Sequence, residues 1–293
     1  MLILGGKLKE IRKEKKLSQK ELAKDICTQV TISKIERHNR VPTIKILSDI
    51  CTRLDIKLND VLLFEGESNV NYDLLQEIKK YCDNNQFEKA FQVMSHLSEK
   101  KMTNTYEKKL LNYYQGFLFL YHKKDVQEAQ YYLNLSLTIN KDSLIFDFLD
   151  CQILNMLGYS FFVSDELDRA NIYYEKSVAN IEQLADLELL DIEVILKIYY
   201  NSAKFYSDIE NFQQAILLCD KGISLSKEIN QLNALYRFYY EKAFNLAKIK
   251  NNREAENHYF IAMGLVKLLG NELVSEIIKE NLKKFQLELR YND

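Results

Sequence analysis

Glycine and proline are scarce in this chain, 8 and 1 among 293 residues. Tight turns and hairpins draw heavily on both, because glycine supplies positive φ and proline presets the first turn residue. So thin a supply argues against a sandwich, a barrel or a doubly wound sheet, and abundant Leu, Ile, Lys, Glu, Asn and Tyr favours helices. Collagen-like and disordered classes go out on the same composition. No stretch of 18 residues is wholly apolar; even 146–163 is broken by Asp147, Asp150 and Gln152, so no membrane-spanning helix and no membrane partner is expected. The expectation is an all-α, soluble protein.

Paired cysteines are absent too. Cys27, Cys51, Cys82, Cys151 and Cys219 stand 24, 31, 69 and 68 residues apart, with no CxxC pair or short Cys/His ladder. Zinc-ribbon and thioredoxin-type readings therefore fail. An odd count at wide spacing, with no signal-type apolar h-region after Met1, points to a reducing cytoplasm where each thiol packs as a small hydrophobe. A redox role for an exposed cysteine stays open. Catalytic signatures are missing as well: there is no GxxxxGK(S/T), GxSxG or HExxH, and the four histidines, His38, His96, His122 and His258, are scattered. No enzyme activity, cofactor or metal is expected.

Charge is unevenly placed. Residues 1–64 carry 14 Lys/Arg against 8 Asp/Glu, and residues 65–293 carry 26 against 34, within a net charge of −2. A small basic module joined to a larger acidic one suits a regulator whose basic part meets phosphate, although such a balance also describes a well-solvated small domain. Apolar periodicity lapses over 65–71, the expected linker between a domain at 1–64 and another at 72–293.

The first segment reads as a helix-turn-helix. Leu4, Leu8 and Ile11 give an amphipathic first helix, with Lys7, Lys9, Arg12, Lys13, Lys15 and Lys16 on its other face. Ser18-Gln19-Lys20-Glu21 is an S-x-x-E capping box, which starts a second helix burying Leu22 and Ala23. Thr28 is the expected N-cap of a third helix, Gln29 to Arg37, with Ile32 and Ile35 inward. Pro42-Thr43 opens a fourth that buries Ile44, Leu47, Ile50 and Leu54.

The string LKEIRKEKKLSQKELA…TISKIERHNRVPTIKIL resembles the Cro/C1-type helix-turn-helix, with its L-S-Q-x-x-L-A entry and S-x-I-E-x-x-x-x-x-P exit. That resemblance implies a third helix lying in the major groove of double-stranded DNA, its N-terminal residues at base edges. Gln29, Thr31 and Ser33 are then the base-edge candidates, with Lys34 close behind. Gln19 matches a phosphate-clamping position, and Arg37, Asn39 and Arg40 would meet backbone. Val30 either packs on a thymine methyl or only stabilises the helix. For Thr31, Ser33 and Lys34 a solvated face is an equal alternative, and His38 reads as a surface turn residue.

The remainder repeats. A polar break followed by Φ-x-x-Ala recurs at Ala90, Ala129, Ala170, Ala215 and, more weakly, Ala255, at spacings of 39, 41, 45 and 40. Twelve residues before three of these alanines stand Gly158, Ala203 and Ala243, small residues that allow close helix approach. The pattern is similar to the tetratricopeptide repeat and implies a right-handed superhelical solenoid of about five degenerate helix pairs, capped by Asn271–Leu289. A non-repeating helical bundle is the alternative. Ile78 replaces the small residue in the first repeat, suggesting looser packing, and Gly116 sits one place out of register in the second.

First helices of such pairs line a concave face. There the register places Gln152, Asn155 and Tyr159, then Lys197, Tyr200, Asn201 and Lys204, then Arg237, Tyr240 and Phe244, with Glu241 adjacent. Amides suit an extended peptide, since one Asn bonds both N–H and C=O of its backbone. Lys197, Lys204 and Arg237 suit a carboxylate. The tyrosines serve equally well as packing between helices.

The two halves together, in a chain near 290 residues, resemble the PlcR-like quorum-sensing regulators of Gram-positive bacteria, which are controlled by imported signalling peptides. The resemblance implies a homodimer reading a pseudo-palindromic operator and, as its sign, activation. Asn201 looks like a peptide-contacting asparagine of that family. Tyr159 stands where a second is expected, which implies a paralogue with its own signal. The rival reading is a helix-turn-helix repressor of phage or antitoxin type whose repeats bind a protein.

Overall fold

A computed structural model describes residues 2–3, 5–40, 42–56, 61–63, 70–97, 102, 105–139, 147–184 and 192–289. Among them are fifteen α-helices, one π-helical turn and one two-residue strand pair. The chain divides into two compact units, residues 1–153 and 154–293.

The first unit begins with β1 (Leu2–Ile3), α1 (Gly5–Glu14), α2 (Gln19–Ala23), α3 (Gln29–His38), α4 (Ile44–Leu54) and β2 (Leu62–Leu63). The strands pair antiparallel, Leu2 opposite Leu63 and Ile3 opposite Leu62, a feature the helical reading did not anticipate. Ile3, Leu8, Leu22, Ile32, Ile35, Leu47, Ile50, Leu54 and Val61 form one solvent-free cluster. Each such side chain contributes about 1.5–3 kcal/mol by burial. The helix starts are fixed chemically. Ser18 and Glu21 make the full capping box, and the Thr28 and Thr43 hydroxyls accept the N–H groups of Thr31 and Ile46. Ile44 is helical in backbone; its side chain, like that of Leu4, lies outside the described residues.

One face of α1 needs correcting. Arg12 is not on the solvated side: it is buried, reaching inward to Glu36 of α3. A guanidinium can be buried because its fork matches a carboxylate two-to-two.

The same unit continues with α5 (Val70–Asp83), α6 (Phe87–Met94), α7 (Thr105–Leu118), a π turn (Phe119–Lys123), α8 (Val126–Thr138) and the start of α9 (Phe148–Val163). Val70 and Asn71 are thus helical rather than linker. Ile78 is fully buried in α5. Gly116 shows why the second pair is displaced by one residue. A Cβ there would stand 2.6 Å from Leu133 and 3.0 Å from the Ala129 carbonyl, so α7 and α8 cross at this glycine. Thirteen residues, not twelve, separate Gly116 from Ala129, and the π turn between them absorbs the extra one.

The second unit holds the rest of α9, α10 (Leu167–Gln183), α11 (Ile192–Asp208), α12 (Phe212–Glu228), α13 (Leu232–Lys248), α14 (Asn252–Leu268) and α15 (Glu272–Phe285). From α10 to α15 each helix packs against the next, as a chain of helical repeats requires. Ala90, Ala129, Ala170, Ala215 and Ala255 are all solvent-free. Gly158 lies under the Tyr174 ring, where a Cβ would come within 2.9 Å.

The turns inside the five pairs solve the glycine shortage in one way. Asn85, Lys124, Asp165, Glu210 and Lys250 each stand five residues before an anchor alanine, and each has φ between 52° and 63°. None is glycine. Asp25 does the same at the α2–α3 turn, with φ of 60°. No disulfide joins the five cysteines, and burial pushes Cys82 and Cys151 up to about 12, which leaves them protonated.

Candidate nucleic-acid interface and ligand site

In the head, three contacts set α2 and α3 against the other helices. Arg12 donates from Nη2 to Glu36 Oε2 at 2.9 Å, from Nε to Oε1 at 2.5 Å, and from Nη1 to the Leu17 carbonyl at 2.6 Å. The hydrogen bond to Glu36, against the cost of burial, raises the Arg12 pKa further. Arg53 of α4 donates to the Leu22 carbonyl at 3.2 Å and also to that of Lys24, closing the C-terminus of α2. Asn39, the left-handed C-cap of α3, accepts the Gly5 N–H at 2.8 Å.

That frame presents the N-terminal turn of α3 outward. Gln29 and Val30 are exposed, Val30 by 52%, while Thr31, Ser33 and Lys34 are half-buried. The Thr31 hydroxyl shares a 2.9 Å hydrogen bond with Thr28. Arg37, Asn39 and Arg40 are half-buried at the far end. Gln19 is partly committed: its Nε2 donates to Glu36 Oε2 at 3.0 Å, leaving its second amide hydrogen at the helix start. His38 is not a plain surface residue; burial lowers its pKa, with Asp147 and Lys109 within electrostatic reach.

In the second unit, α9 and α11 are joined by amides. Asn155 accepts from Asn201 Nδ2 at 3.0 Å and donates to Ser202 Oγ at 3.2 Å. Asn155 is buried and Asn201 half-buried, so Asn155 serves as the anchor and Asn201 stands at the surface of the bridge. An Asn has four hydrogen-bonding sites, and Asn201 spends one on this contact. Tyr159 and Lys204 are half-buried and Lys197 is exposed on the same two helices. Gln152, half-buried, belongs to the first unit.

On α13, Arg237 is exposed, but Glu241, placed beside the groove residues as a peptide-binding candidate by the sequence register, is buried, 1% exposed. Its Oε1 accepts from Asn245 at 3.2 Å, and Lys204 Nζ stands 3.7 Å from Oε2. Burial raises the Glu241 pKa, and Lys204 limits the rise. Glu241 therefore orients Lys204 from below. Tyr200 packs edge-on against Phe238, and Tyr240 against Tyr259, so both rings are packing residues with polar tips. Sequence reasoning missed Asn281 of α15, whose Nδ2 donates to the Tyr240 hydroxyl at 2.9 Å. Its only signal was an amide on the inner side of a helix taken as a cap. Phe244 meets Phe285 of that helix edge-on.

Against known proteins, the helix-turn-helix family model matches residues 8–61, and the model of the RNPP family C-terminal domain matches residues 75–287. No curated protein matches in sequence. Among solved structures, PlcR of Bacillus thuringiensis in its apo form is similar over 94% of this chain and 98% of its own, at 18% identity and a TM-score of 0.64. PlcR in complex with the peptide PapR7 and DNA matches over the same shares at 22% identity and 0.60. ComR from S. thermophilus, in complex with DNA and its signalling peptide ComS, covers 97% and 99% at 17% identity and 0.54. At such identities the likeness is one of fold.

Proposed function

The chain belongs to the RNPP family, and on that footing we propose a transcription regulator whose head reads double-stranded DNA and whose repeats bind a short imported signalling peptide. The observation that carries the reading is the pairing of two built surfaces in one chain: an outward α3 N-terminus, and the Asn155–Asn201 bridge with Lys204 beside it. We assign base reading to Gln29, Val30, Thr31, Ser33 and Lys34, and phosphate contacts to Arg37, Arg40 and the free amide hydrogen of Gln19. We assign the peptide to Asn201, Tyr159, Lys197, Lys204, Arg237 and the polar tips of Tyr200 and Tyr240, with Asn155 and Glu241 supporting from beneath.

A homodimer would set two recognition helices on operator half-sites about 34 Å apart. Peptide binding switches such a regulator only if the peptide prefers one of two arrangements of the chain. We take activation as the sign and the cytoplasm as the compartment, and assign no catalytic step.

The test is calorimetry on the full chain with five- to eight-residue peptides encoded by small secreted frames beside the gene. Micromolar binding by wild type, lost in Asn201→Ala with the melting temperature unchanged, supports the reading. Silence across the library with DNA binding intact would move the repeats to a protein partner.

A further inference from the structure

The strand pair and Asn39 bear on how the recognition helix is held. Ile3, beside the strand pair's first residue, is fully buried in the head core together with Val61, the residue just before β2. Two residues on, Gly5 fits where no side chain can: a Cβ there would lie 1.9 Å from the Ile35 carbonyl of α3. The Gly5 N–H is bonded to Asn39 Oδ1 at 2.8 Å, and Asn39 holds φ of 52° at the end of α3. The strand pairing, the Gly5–Asn39 hydrogen bond and the close approach of Gly5 to the Ile35 carbonyl thus fasten the N-terminal arm and the start of α1 to β2 and to the last turn of the recognition helix.

We propose that this arm is a clasp that fixes the position of α3, with Gly5 and Asn39 as positioning residues, Asn39 acting through α3 rather than as a phosphate contact. The inference rests on the DNA-reading role proposed above. A helix that reads base edges needs its donors placed within a fraction of an ångström, whereas phosphate attraction tolerates looser placement. The arm touches α3 at the end away from Gln29 and Val30, so it can set the helix without meeting bases.

The test uses the full chain and a duplex enriched by wild type from a random-sequence library, with random duplex of equal length as competitor, over a series of salt concentrations. Asn39→Gly keeps a residue suited to positive φ and removes the Oδ1 acceptor. Gly5→Ala drives a methyl into the Ile35 carbonyl. Both are expected to lower the ratio of enriched to random affinity about tenfold, the worth of one net hydrogen bond, while random-duplex affinity and its salt slope hold. Circular dichroism confirms folding, and Asn39→Gly carries the test alone if Gly5→Ala does not fold. Equal losses on both duplexes, with a shallower salt slope, would make Asn39 a phosphate contact and overturn the clasp. An unchanged ratio overturns it too. A wild-type chain that enriches no sequence instead overturns the DNA-reading role, and the clasp with it.

Discussion

Arg12 and Glu36 meet as a buried, two-pronged ion pair that fastens α1 to the recognition helix. Removing one partner strands the other charge without water, so Arg12→Met is expected to cost about 3–5 kcal/mol. Arg12→Lys should recover little, because an ammonium cannot make the bidentate fork. The double replacement R12M/E36M should recover most of the loss, since an apolar pair of similar volume avoids the desolvation cost. Thermal melting of the three variants checks this. A double variant no more stable than Arg12→Met would show that a stranded Glu36 charge is not what the single replacement costs.

A second buried cluster makes stability depend on pH. Lys109 Nζ, almost solvent-free, lies 2.8 Å from Asp147 and 2.7 Å from Asp150 at the start of α9. Burial and the neighbouring Asp147 charge push the Asp150 carboxyl up to about 6, whereas Lys109 holds Asp147 below its usual value despite burial. For Asp150, the folded state holds its proton more tightly than the unfolded chain. Its contribution to stability is therefore present below about pH 4 and is lost as pH rises through about 6. Asp150→Asn should then be more stable than wild type at pH 7, with the gain fading towards pH 4. Asp147→Asn should be less stable at neutral pH. Denaturant titrations at pH 4, 6 and 7 read both signs, and a pH-independent difference for Asp150→Asn would refute the assignment.

Glutamate and lysine in left-handed turns carry a cost that glycine does not. Glu210 at φ of 61° and Lys250 at φ of 63° close the turns of the last two pairs. A side chain in that region costs about 1 kcal/mol over glycine, part of which returns as the greater unfolded-state entropy of glycine. Glu210→Gly and Lys250→Gly should therefore each stabilise the chain by up to about 0.5 kcal/mol. A loss of stability in both, by denaturant titration, would show that these side chains make contributions beyond their backbone geometry.

Those turns also show where reading the sequence stopped. Scarce glycine correctly excluded hairpin-rich folds, yet it said nothing about helix pairs, whose turns need one left-handed residue that Asn, Asp, Lys or Glu can supply. The alanine register was legible because Ala170 is solvent-free and Gly158 lies under the Tyr174 ring, where a larger side chain would collide. The capping box at Ser18 was legible because it is local. Arg12 was not: its burial depends on a carboxylate 24 residues away, and on charge alone it joins its lysine neighbours. The burial of Glu241 escaped in part for the same reason: Asn245 is only one helical turn on, but Lys204, its other partner, lies 37 residues away. The strand pair escaped because two residues carry no periodicity. Asn281 escaped because it sits on a helix outside the repeat register.

The two ends of α3 should respond differently to mutation. Gln29, at the exposed start, can offer its amide to a base edge, so Gln29→Ala should cost about 1–3 kcal/mol on the preferred duplex and relax selectivity at one position. Val30→Ala should weaken discrimination at a thymine if the exposed valine meets a methyl group, and otherwise leave binding unchanged. Arg37, beyond the base-reading turn, should act on backbone. Arg37→Ala is expected to weaken enriched and random duplexes alike and to reduce the slope of log affinity against log salt by about 1. Fluorescence anisotropy at four salt concentrations separates the two classes. If Gln29→Ala shifts the salt slope while Arg37→Ala changes selectivity, the helix lies in the opposite sense along the groove, and the recognition residues must be sought near Asn39.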